Sequence, residues 1–131
     1  MFGIFSEYYT QYLIIFGAAT AIIFCIPLFS FPMTWGRLLM WNIPDDTDLA
    51  VYLGRCLGAL GLVIDYFVIN AALANEGISL VFDSLYLLFS LMIVIHIYGA
   101  LRKIQPISET LEIGLWIALL ILNAMFHPAI V

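Results

Sequence analysis

Residues 52–65 read Tyr-Leu-Gly-Arg-Cys-Leu-Gly-Ala-Leu-Gly-Leu-Val-Ile-Asp, and they organise the chain around them. On a helix at about 100° per residue, Gly54, Gly58, Gly61 and Asp65 fall within about 60° of one another. Ala50 and Ala72 extend the stripe at either end. The pattern predicts a narrow seam of missing side chains that holds one carboxylate, inside an otherwise apolar helix. Such a seam lets another helix approach closely, and a carboxylate at membrane depth is costly enough to need a reason.

Composition places that helix in a bilayer. Of 131 residues, 65% are hydrophobic and 10% charged, with a mean hydropathy of +1.12. A soluble domain carries about 25% charged residues, so the chain has too little polar surface to cover a water-facing fold. The expected class is an all-α membrane protein in a single domain, with the lipid bilayer as its solvent. A net charge of −5 with only Arg37, Arg55, Arg102 and Lys103 as bases excludes nucleic acid as a partner. Cys25 and Cys56 form neither a CxxC nor a zinc spacing, and each reads as a small packing residue.

Working outward from the seam gives four antiparallel transmembrane helices, over about 10–30, 49–74, 79–101 and 108–126. The N-terminal stretch lacks the basic start of a signal peptide, so the first helix is expected to be retained. It carries the small pair Gly17 and Ala21, and Pro27 should kink or end it near its far side. Between the first two helices, residues 30–48 (SFPMTWGRLLMWNIPDDTD) predict a short interfacial segment: Trp35, Leu38, Leu39 and Trp41 lie between Pro32 and Pro44. Asp45, Asp46 and Asp48 stand where the second helix wants caps and negative charge, and a hard cation is the alternative reading. Asn75-Glu76-Gly77 predicts a tight turn, and Ser108 a cap for the fourth helix.

All four basic residues fall on one side of this arrangement. By the positive-inside rule, both termini are expected on the non-cytoplasmic side of the inner (plasma) membrane. That puts both cysteines in the reducing half, where a structural disulfide is not expected.

Several polar residues lie within the predicted spans. Asp65, about 5 Å from the middle of its helix at 1.5 Å per residue, is read in two ways: a hydrogen-bonded residue that locks packing, or the binding group of a proton- or cation-coupled transporter. Helix levels suggest an Arg55–Glu112 ion pair and an Asn70–Asp83 polar contact. His96, among aromatic residues and Met92, has the character of a tetrapyrrole ligand, although a single membrane-depth histidine is more often a packing residue. His127, beside Pro128, reads as a terminal residue, and Asn123 as an interhelical hydrogen-bonding group. No other cofactor and no metal is expected. Nothing in the spacing of Ser, Thr, His and acids makes a catalytic set.

Tyr52-Leu53-Gly54-Arg55-Cys56-Leu57-Gly58, followed by Leu60-Gly61-Leu62, resembles the second helix of small four-helix DoxX-like membrane proteins. The first helix departs from that pattern, having neither an early Arg nor a glycine-rich start. The resemblance implies a four-helix protein that associates with other membrane proteins and is not itself catalytic. The same role follows from the seam and the scant extramembrane mass: a non-enzymatic accessory subunit packing against other membrane protein subunits. A small oligomeric transporter using Asp65 is the second reading, and an electron-transfer subunit using His96 the third.

Overall fold

Pro27 decides the shape of the first helix. It has no N–H to give the carbonyl of Ile23, and its ring crowds the preceding turn. In a computed structural model that describes residues 2–128, the helix accommodates this with a π-helical turn over Ala21–Cys25. Beyond the π turn α-helix resumes to Ser30. The whole helix, α1, runs Ser6–Ser30, so Pro27 widens it without ending it. The break comes at Phe31 (φ −137°, ψ 57°), and Pro32 opens the seven-residue α2, Pro32–Leu38. This short helix occupies the expected interfacial segment. It closes with Met40 at a positive φ of 63° and with Trp41 N–H donating to the Gly36 carbonyl at 3.0 Å.

Three long helices follow: α3 Asp48–Ala74, α4 Ile78–Arg102 and α5 Ile107–Phe126. With α1 they make four helices long and apolar enough to cross a membrane, and the described residues contain no strand. The N-cap position of α3 falls on Thr47 and carries no side-chain cap, contrary to the capping expected of the aspartates. Asp46 accepts the Asp48 N–H at 3.3 Å, and Asp48 places negative charge in the first turn. The tight turn after α3 has Asn75 and Gly77 in the left-handed region (φ 56° and 68°), with the Glu76 N–H closing on the Ala71 carbonyl at 3.2 Å. Ser108 does not cap α5, because the helix already begins at Ile107. Its hydroxyl instead donates to the Leu39 carbonyl and ties the α2–α3 connection to α5.

Packing divides the molecule into two pairs. Helix α1 lies along α3, α4 lies along α5, and α3 meets α4 only lightly. Tyr12, Leu13, Val68, Ala72, Phe82, Leu85 and Phe89 form the core between the pairs. Tyr12 stacks on Phe126 at 4.8 Å with the rings 4° from parallel. The chain's start completes the far end: Gly3 and Phe5 donate their N–H groups to the carbonyls of Ala124 and Met125, both at 2.9 Å. Those carbonyls belong to the last turn of α5 and have no partner of their own within the helix. His127 is therefore not a loose terminal residue. It is buried beneath this segment, with Phe2 at 4.9 Å and Phe82 at 5.1 Å between ring centroids.

Candidate functional site

The glycine seam faces inward, onto the chain's own first helix. A Cβ on Gly58 would lie 2.6 Å from the Phe29 nitrogen and 2.8 Å from the Cys25 oxygen. One on Gly61 would meet the Cys25 sulfur at 2.5 Å, and one on Gly54 would meet Pro32 Cβ at 2.7 Å. The seam thus holds α1 and α2 against α3. It does not offer α3 to another chain.

Asp65 lies at the end of this seam and is 5% exposed. Thr20 Oγ1 donates to its Oδ1 at 2.6 Å, and the Cys25 thiol donates to its Oδ2 at 3.2 Å. The π turn makes this double contact possible. Residues 20 and 25 would stand about 140° apart on an α-helix at 100° per residue. The i→i+5 pairing of a π turn brings residues five apart back to one face. Each carboxylate oxygen accepts a donor from α1, as a packing role for Asp65 requires.

A second polar cluster lies at the other end of the bundle, toward the α4–α5 connection. Buried positions Phe82, Phe89 and His96 recur every seven residues on α4 and turn the imidazole inward. Glu109 and Glu112, three residues apart on α5, share a face and meet it. His96 Nε2 lies 3.1 Å from Glu109 Oε2 and 3.5 Å from Glu112 Oε2. His96 Nδ1 lies 2.7 Å from the Met92 carbonyl oxygen. The Trp41 indole N–H donates to Glu109 Oε1 at 2.8 Å. Gln105 Nε2 donates to the His96 carbonyl at 3.0 Å and lies 3.2 Å from Thr110 Oγ1. The Gln105 side chain sits directly on Gly99, where a Cβ would collide with it. Among the described residues, His96, Glu109 and Glu112 are the group with metal-ligating donors in mutual reach, each offering one atom within 4.8 Å of the others.

Three sequence expectations change here. Glu112 faces His96, and the exposed Arg55 forms no ion pair with it among the described residues. The reason is packing: α5 neighbours α4, whereas α3 neighbours α1. Asn70 and Asp83 are both exposed and make no hydrogen bond to each other, because α3 and α4 splay around a groove of about 650 Å³ that Asn70 helps to line. His96 does not present a ring nitrogen to open space, as an axial tetrapyrrole ligand must. One nitrogen is engaged by Met92 and the other by the two glutamates. Asn123 is fully buried and its Nδ2 donates to the Phe82 carbonyl at 3.1 Å, the interhelical bond expected of it.

The His96–Glu109–Glu112 grouping was not expected from sequence, yet a signal was there. Counted outward from the α4–α5 connection, His96 and Glu112 stand at the same level to about one residue, or about 1.5 Å along the axis. A second groove, of about 680 Å³, runs between α1 and α5 with Glu112 in its wall among apolar residues.

No family model, curated protein or solved structure matches the chain.

Proposed function

We propose that the chain is a non-enzymatic subunit of the inner (plasma) membrane, with four antiparallel spans, that packs against a transmembrane helix of a partner protein. The observation that carries this reading is the outer face of α5. Asn123 is the one buried residue on that helix. Gly114 and Ala118, four residues apart, are both exposed, and a Cβ on Gly114 would meet nothing within 4 Å. Lipid chains fill around large side chains as well as small ones, whereas a second helix gains from a small-xxx-small face because backbones can approach. The docking surface moves accordingly from α3, whose glycines are filled from within, to α5. A DoxX-like relationship would fit the same role. Asp65, with both oxygens engaged by α1, serves packing in this reading and not transport.

Native mass of the chain in a gentle membrane extract tests the proposal. The wild type should run in an assembly larger than one chain. Gly114→Leu with Ala118→Leu should release it as a folded single chain, because both positions are exposed and a Cβ at Gly114 enters open space. A wild type that runs alone, or a double variant that stays in the assembly, overturns the reading.

A further inference from the structure

We infer that His96, Glu109 and Glu112 form a binding site for one divalent first-row transition cation. The inference starts from hydrogen-bond polarity. The Met92 carbonyl can only accept, so the ring proton of a neutral His96 is on Nδ1. Nε2 then carries a lone pair, and it faces two carboxylate oxygens at 3.1 and 3.5 Å. With His96 neutral and both glutamates ionised, three acceptors converge with no donor among them, and a cation between them would satisfy all three.

Charge and geometry decide which cation. A proton on Nε2 would leave one positive ring between two carboxylates, a net charge of −1. Moreover, a single N–H points along one direction and cannot serve both glutamates equally. A divalent ion on a neutral imidazole and two carboxylates brings the cluster to zero. Metal bonds of about 2.0–2.2 Å at tetrahedral or octahedral angles set donor–donor distances of about 2.9–3.5 Å. Both His96–glutamate distances already fall in that range, and the two carboxylate oxygens lie within 4.8 Å of each other. One nitrogen with two carboxylate oxygens suits the manganese-to-zinc series, with water completing the shell.

The surrounding groups orient the donors as an outer shell does. A ligating histidine typically gives its second N–H to a carbonyl, and ligating carboxylates are themselves hydrogen-bonded. Met92 and Trp41 fill these two roles. The glutamate side chains are 15% and 21% exposed against 5% for His96, which leaves a way in past the carboxylates.

The test uses the purified full-length chain in detergent, stripped with chelator and titrated with Co²⁺ under visible absorption. One Co²⁺ per chain should bind, give a ligand-field band and be displaced by Zn²⁺. Glu112→Gln should weaken binding at least tenfold, and His96→Ala should abolish the band. Trp41→Phe keeps all three ligands and frees Glu109, so it should weaken binding by about 10–100-fold. Should His96→Ala fail to fold, Glu112→Gln and Trp41→Phe decide, since both act from the more exposed side of the cluster. A wild type with no saturable one-to-one Co²⁺ binding, or binding unchanged in both of those variants, overturns the inference.

Discussion

Asp65 is a buried carboxylate within a span, and both of its hydrogen-bond donors come from one neighbouring helix, α1. An unpaired carboxylate at the centre of a span costs about 2.5–3.5 kcal/mol on insertion scales. Here the Thr20 hydroxyl and the Cys25 thiol reach one oxygen each. Removing the hydroxyl in Thr20→Val should leave Oδ1 without its donor and destabilise the fold by about 1–3 kcal/mol. Thermal unfolding in detergent measures it, and the same substitution at the exposed Thr34 serves as the control. A Thr20→Val chain as stable as the wild type would mean that the contact contributes nothing. From sequence, Asp65 was legible as a buried polar residue in a small-residue stripe. Its partners were not, because Thr20 and Cys25 share a face only once the π turn exists, and α-helical spacing separates them. His96 was hidden for a related reason: level-counting identifies what stands side by side, but not which helices are neighbours.

At the scale of elements, the helix limits followed closely from hydropathy and from turn residues such as Asn75, Gly77 and Pro106. Internal irregularity was harder to read. Pro27 announced a disturbance in α1, yet a kink, a stop and a widened turn all answer a missing N–H. The widened turn succeeds because it keeps the Cys25–Phe29 backbone pressed into the seam of α3. Gly58 bears that contact: its α-hydrogen side faces backbone atoms, which cannot swing aside as a flexible side chain would. Gly58→Ala should therefore cost about 1–3 kcal/mol through overpacking. Gly114→Ala should be neutral or gain about 0.5–1 kcal/mol from helix propensity, since its Cβ would enter open space. The two unfolding midpoints, compared side by side, distinguish a seam filled from within from one turned outward. Equal midpoints would contradict the internal seam.

The whole molecule is two helix pairs joined at a shared core, and its ends differ in kind. One end gathers Arg37, Arg102, Lys103 and the His96 cluster, tied together by Trp41 to Glu109 and by Ser108 to Leu39. The other end has the start of the chain folded over the last turn of α5 and the Asn75–Gly77 turn, and it carries no Lys or Arg. Translocation disfavours basic segments near a span, so the asymmetry predicts that the basic end stays in the cytoplasm. Cysteine accessibility tests this directly in a Cys56→Ser background, where the remaining native thiol, Cys25, is buried. Glu76→Cys should react with a membrane-impermeant thiol reagent added to intact cells. Lys103→Cys should react only after the membrane is opened. Labelling of Lys103→Cys in intact cells, with Glu76→Cys protected, would invert the topology. The metal cluster would then face the outside, so the same pair of variants also decides which compartment supplies its cation.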